Sequence, residues 1–231
     1  MKEIIKLIAA LTLVSAIAGL TIGMANIRTK EGIEKQMYQA RQSAIEAVLP
    51  AGVTTERGAW DILPDKYWTA SYNDKLIGYA FELGSRGYEG DIRFMVGVGV
   101  DGTIFGVTVL SHNETPGLGS RVNEVASTKY IWNPFGASEQ TKPWFTEQFE
   151  GLSAKKRISI DKTAGEWHKL NESARSELKS RNAVTAITGS TITTRAFTQA
   201  IGQKAAAYLQ ELGGYCCPET RKRKEQGKYD N

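Results

Sequence analysis

Between Thr185 and Thr198 the sequence places seven hydroxyl side chains around one glycine, in the run Thr185-Ala186-Ile187-Thr188-Gly189-Ser190-Thr191-Ile192-Thr193-Thr194. Ala183–Ile187 reads as a short strand, and Gly189 lets the chain turn sharply. Arg195–Leu212 reads as a helix with Phe197, Ile201, Ala205, Tyr208 and Leu212 on one face, stopped by Gly213-Gly214. A strand, a hydroxyl-rich turn and a helix N-terminus in that order suit a phosphate, because free amides and the positive end of the helix dipole face it. Helix capping by Ser190 or Thr191, worth about 1 kcal/mol, is the plainer use. One cap needs one hydroxyl, so the surplus tilts the reading toward a phosphate ligand.

A second segment, Ser111-His112-Asn113-Glu114-Thr115-Pro116-Gly117-Leu118-Gly119, offers a carboxylate and a hydroxyl on a loop shaped by Pro and Gly. Such a loop suits the polar edge of a flat heterocycle, or is an ordinary turn. His112, the neighbour of this loop, is one of only two histidines; His168 falls in a polar stretch and reads as a surface residue. Trp60, Trp68, Trp132, Trp144 and Trp167 read as packing residues. Cys216-Cys217 are the only cysteines. Adjacent cysteines exclude a disulfide framework, two Cys with two His lack zinc-ligand spacing, and a free surface thiol pair is the simplest reading.

The elements that position these segments follow from pattern. Tyr67–Tyr72 and Leu76–Leu83 are strand-like. In Asp91–Leu110, Ile92, Phe94, Val96, Val98 and Val100 alternate with other residues, Asp101-Gly102 reads as a two-residue hairpin turn, and Thr103–Leu110 runs back. Gly97, Gly99 and Gly106 leave one face flat, either for a ring or for close packing. Ala164–Ser180 is a polar helical candidate, and the tail from Glu219 is charged and without apolar periodicity.

The first part of the chain is different. Leu7–Ile27 is 21 residues without a charge, about 31 Å as a helix, which matches the hydrocarbon core of a bilayer. It reads as an uncleaved anchor, ahead of a cleavable signal peptide with Gly23-Met24-Ala25 as its processing site. Bases flank both ends, and their count does not fix which side the following domain occupies. Residues 30–49 read as a stalk helix ended by Pro50-Ala51-Gly52. The organisation is thus an anchor (1–27), a stalk helix and linker (28–60), a domain (61–215) and a charged tail (216–231). With 231 residues, 41% hydrophobic and 23% charged, the chain is neither disordered nor a many-pass channel. Its net charge of +4 resides largely in its two ends, too little for a nucleic-acid footprint. The fold class is α+β, a curved, mainly antiparallel sheet with flanking helices, preceded by one transmembrane helix.

Thr188-Gly189-Ser190-Thr191 resembles the Ser/Thr-Gly-Ala-Thr flavinylation motif of FMN-binding domains. Glu114-Thr115-Pro116-Gly117-Leu118-Gly119 matches the other hallmark of that family. With one N-terminal membrane helix, their order and spacing resemble the G subunits of Rnf complexes, relatives of the C subunit of the sodium-translocating NADH:quinone reductase. The resemblance implies FMN esterified through its phosphate to Thr191 by a separate flavin transferase that uses FAD and a divalent metal. It implies cofactor contacts from Glu114, Thr115, Gly117, Leu118, Thr188, Gly189, Ser190 and Thr194, and no residue acting as a catalytic base. It further implies a domain outside the cytoplasm, other redox subunits as partners, and electron transfer within an ion-translocating ferredoxin:NAD oxidoreductase. The alternatives are the quinone-reductase subunit, a non-redox anchored binding ectodomain, or a stand-alone reductase. This chain departs from the family pattern at Ser190, where Ala is usual, and at Thr185, where Asp is frequent; the second departure bears on recognition by the transferase.

Overall fold

A computed structural model of the chain describes residues 2–58, 63–126 and 142–215. Trp60, Trp132, Cys216, Cys217 and the charged tail lie outside the described residues. The chain divides into two compact units, Met1–Ser43 and Ala44–Asn231.

The first unit is a single helix. Helix α1 spans Lys2–Val48 without a break at residue 27 or 30, because no proline intervenes before Pro50. Its apolar stretch is long enough to cross a membrane and none of it is buried. Polar side chains in that stretch are satisfied locally: the hydroxyls of Thr12 and Thr21 donate to the carbonyls of Ile8 and Ile17 at 2.8 Å.

The second unit is built on a five-stranded antiparallel sheet in sequence order: β1 (Thr54–Arg57), β2 (Lys66–Tyr72), β3 (Lys75–Arg86), β4 (Asp91–Gly99) and β5 (Ile104–Ser111). Asn73 and Asp74 both take positive φ, the conformation of the tight turn that joins β2 to β3. The β4–β5 connection is longer than the expected two residues. Gly99 and Thr103 close it, Gly102 takes φ +94°, and the Asp101 carboxylate accepts from the Thr103 amide and hydroxyl. Beyond the sheet lie a 3-10 turn (Gly119–Asn123), α2 (Trp144–Glu147) and the short parallel pair β6 (Ser159–Asp161) and β7 (Ala183–Thr185). Between β6 and β7 the predicted single helix over 164–180 is two pieces. A 3-10 turn (Trp167–Lys169) is followed by α3 (Glu172–Ser180), which starts afresh because the Asn171 side chain caps the Ala174 amide. The last element runs as α4 (Thr191–Ala200), a π turn (Ile201–Ala205) and α5 (Ala206–Tyr215), starting earlier than Arg195 and passing through Gly213-Gly214.

Each face of the sheet has its own cover. On one, Phe81, Phe94, Val96 and Ile104 pack against Phe197, Ile201 and Tyr208, with Trp144, Phe145, Phe149 and Trp167 completing the core. On the other, Trp68, Ala80 and Met95 pack against Ala44, Ile45, Val48 and Leu49, the last turn of α1 and the residue after it. The flat glycine face is therefore filled by helix rather than ring. A Cβ on Gly97 would stand 2.0 Å from the Val48 carbonyl oxygen, and one on Gly106 would stand 3.2 Å from the Val48 Cα. The expectation that this face lies against a flavin is corrected: its smoothness admits backbone.

Candidate functional site

The two segments singled out by their chemistry meet, although about 70 residues separate them. Three contacts join them. The first is Glu114, buried at 5% exposure. Its Oε1 accepts the amides of Tyr88 (2.9 Å) and Glu89 (3.2 Å), beyond the end of β3. Its Oε2 accepts the Thr193 hydroxyl in the first turn of α4. Glycine makes room for this carboxylate on both sides, since a Cβ on Gly87 or Gly119 would stand 2.3 Å from its oxygens. Glu114 thus points into the protein, and its carboxylate is engaged by backbone and hydroxyl donors.

The second contact is ionic. Arg121, in the 3-10 turn that follows the loop, donates Nη1 to Oε1 of buried Glu166 and Nε to Glu124 at 2.7 Å. Lys169 lies 2.8 Å from the other Glu166 oxygen. Thr188 acts on the same carboxylate and favours its ionised form. Bonding from Arg121 first, with Lys169 and Thr188 after it, holds the Glu166 carboxyl down to about 2 against the opposing effect of burial. The third contact is apolar: Leu118 Cδ2 lies 3.0 Å from where a Cβ on Gly189 would be. Gly189 takes φ +78°, so glycine is required there for conformation as well as space.

The hydroxyls of the turn can now be assigned. Thr185 is fully buried, its amide and hydroxyl both on Gln148 Oε1. Thr188, exposed, acts on the Glu166 carboxylate. Ser190 does not cap α4 with its side chain; its Oγ pairs with Thr193 Oγ1 at 2.6 Å. Thr194 donates to the Ser190 carbonyl and accepts the Ile187 amide, both at 3.1 Å, closing the turn. Thr198 bonds back to Arg195. Thr191 alone of the seven has neither a hydrogen bond nor a charged group on which its hydroxyl acts among the described residues. It is half-buried at the first position of α4. Beside it are the first-turn amides of the helix, which have no intrahelical partner, and the solvent-open side chain of Ile192 (49% exposed); Leu118 (44%), also open to solvent, lies against Gly189 two residues before it.

Of the other predicted cofactor residues, Thr115 donates to Glu89 at 2.9 Å, and the exposed Gly117 gives its amide to Ser120. His112 accepts the Glu114 amide at Nδ1 and so shapes the loop. His168 is not a surface residue: it lies 5.1 Å from the Trp144 ring, and burial lowers its basicity. Sequence reasoning does not reach Arg121 and Glu166, because they lie 45 positions apart with no local pattern linking them. Gln148 escapes it for the same reason.

The residues fit a phosphate-tethered flat cofactor. The Thr191 hydroxyl, without a partner among the described residues, stands at a helix N-terminus, with the exposed apolar Ile192 beside it and Leu118 against the neighbouring Gly189. The family model for the FMN-binding domain matches residues 87–206, which contain both segments. The chain is 28% identical over 222 residues to the G subunit of the Na(+)-translocating ferredoxin:NAD(+) oxidoreductase complex of Acetobacterium woodii, covering 90% of this chain and 92% of that one. It is 32% identical over 163 residues to the G subunit of the ion-translocating oxidoreductase complex of Aliivibrio fischeri, covering 63% of this chain and 75% of the relative. A more distant likeness is to the crystal structure of Shewanella oneidensis NqrC, with a TM-score of 0.42 and 20% identity over 69% of this chain and 66% of that one. With half its length matched and both hallmark segments joined in one site, the chain belongs to the FMN-binding domain family, among the G subunits of ion-translocating oxidoreductase complexes.

Proposed function

We propose that this chain is a membrane-anchored flavoprotein that holds FMN as a phosphoester on Thr191 and relays electrons inside an ion-translocating ferredoxin:NAD oxidoreductase. The observation that carries the assignment is the state of the seven hydroxyls: six are engaged within the protein, and Thr191 is not. FMN, when bound, supplies one- and two-electron redox chemistry. The chain's own residues do the rest. Thr191 anchors the phosphate at the positive end of α4, and Leu118 and Ile192 offer apolar contact to a ring. Thr115, Gly117, Gly189, Ser190 and Thr194 shape the walls around it. Glu114 acts differently from the resemblance: it clamps the two walls together instead of touching the ring.

Attachment balances as a transfer from FAD by a separate transferase. The Thr191 oxygen bonds to the flavin-side phosphorus, the pyrophosphate bond breaks, AMP leaves, and the hydroxyl proton departs with it. Thr185, at the position where Asp is frequent, is buried with its amide and hydroxyl on Gln148. An uncleaved anchor in α1, a domain on the extracytoplasmic side and neighbouring redox subunits complete the reading.

Co-expression with the transferase, followed by denaturing electrophoresis, tests it. The band is expected to fluoresce and the intact mass to rise by one FMN less one water. Thr191→Ala is expected to abolish both; fluorescence that persists in that variant removes the assignment.

A further inference from the structure

A groove of about 690 Å³ runs between β6 and the α4–π segment. Arg157, Lys162 and Arg195 line it, no carboxylate does, and none of the three is in an ion pair among the described residues. Arginines elsewhere in this unit, such as Arg121 and Arg181, are paired with carboxylates. Asp161 adjoins the groove in sequence, but its carboxylate is turned onto Thr163, Ala164 and Arg181. Three uncompensated cations around one concavity attract an anionic occupant.

The backbone says more about what that occupant is. Among the described residues β6 is an edge strand, paired only with β7. In the parallel register, Ser159 and Asp161 bond across to Asn182 and Ala186, so the amide and carbonyl of Ile160 point away from β7. Ile160 lines the groove. An outward donor–acceptor pair at strand spacing recognises another extended backbone. A small anion or a lipid headgroup has no use for it.

We propose that this groove takes an extended acidic segment of a partner protein, which adds to the β6 edge at Ile160 and places carboxylates against Arg157, Lys162 and Arg195. Thr191, Arg195, Thr198 and Gly202 follow one another at helical spacing, so the docked segment runs along the stripe of α4 that begins at the proposed flavin attachment. The inference goes beyond the flavoprotein reading and does not depend on it, because a flavin-free chain presents the same groove.

The test uses the full chain in detergent and a fluorescent peptide of alternating valine and glutamate, with binding read by anisotropy. Binding is expected at low salt, weakened by added salt. Reversing the three cations (R157E, K162E and R195E together) is expected to weaken it roughly tenfold or more. The same peptide N-methylated at alternate residues keeps its charge but cannot pair with a strand edge, and is expected to bind at least about tenfold more weakly. Equal binding of the methylated peptide overturns the edge pairing. Full competition by inorganic phosphate at similar charge concentration shows a small-anion site, and binding to anionic vesicles that the triple variant abolishes while the peptide does not bind shows a lipid surface; either overturns the proposal. The chain expressed without the transferase, and so without flavin, is expected to bind the peptide as the co-expressed chain does, which keeps a failure here distinct from a failure of the flavin assignment.

Discussion

Glu114 and Glu166 both reach from one half of the site to the other, and both are buried at 5% exposure. Their partners differ in kind. Glu114 is held by two backbone amides and a threonine hydroxyl, with no cation in contact among the described residues. Glu166 is held by Arg121 and Lys169, with Thr188 acting on the same carboxylate from the turn. The first clamp is geometric: fixed donors converge on a carboxylate for which glycine has cleared the space. The second is electrostatic, and its strength depends on the charge of its members. One site is thus closed by two latches, of which the second is held by strong cationic partners.

The largest effect separating them is expected from Gly119→Ala. The new methyl would meet the Glu114 carboxylate at 2.3 Å and its Cβ at 2.7 Å, and moving that carboxylate breaks all of its bonds. A loss of about 3 kcal/mol in chemical denaturation is expected, together with loss of flavin loading. Stability within about 1 kcal/mol of the parent would show that the first latch is slack. Next comes Glu166→Gln. The folded-state value of about 2 lies below the ordinary 4.5, so the ionised form stabilises the fold above pH 4.5, and this contribution fades as pH falls toward 2. The parent is expected to lose up to about 3 kcal/mol over that window, and the glutamine variant to show a flatter profile from a lower starting point. Parallel profiles would assign the acid sensitivity to other groups. His168 adds in the same direction, since burial disfavours the charged form it gains in acid. The smallest effect contrasts two hydroxyls of the turn. Thr194→Ala leaves the Ile187 amide without its acceptor and is expected to cost about 1–2 kcal/mol. Thr198→Ala removes only a bond back to Arg195 and is expected to change stability by about 0.5 kcal/mol or less. Denaturant midpoints for the pair measure the difference directly.

How much of this is legible in the sequence depends on whether the signal is local. The β4–β5 hairpin, the hydroxyl turn before a helix and the Pro-Gly loop are written in neighbouring residues, and all three occur. The convergence of the loop and the turn comes from resemblance, because no periodicity links positions 70 apart. An acidic residue on a glycine loop has the same appearance in sequence whether it faces out or in; the amides of Tyr88 and Glu89 and the Thr193 hydroxyl turn Glu114 inward. The glycines at 97 and 106 are equally ambiguous until the Val48 backbone is seen against them. Ala164–Ser180 shows helical composition throughout, yet Asn171 competes for the chain and restarts it.

The π turn at Ile201–Ala205 adds one residue to what would otherwise be an uninterrupted coil. It leads into the face on which Lys204 reaches the Gly84 carbonyl and Tyr208 reaches Asp65. Removing a single residue from that turn would rotate everything C-terminal to it by roughly 100° while leaving the coil before it in place. Tyr208 would swing off the sheet, and Thr191 would stay where it is. The wide turn therefore works as a phase adjuster, letting one rod satisfy two unrelated angular demands.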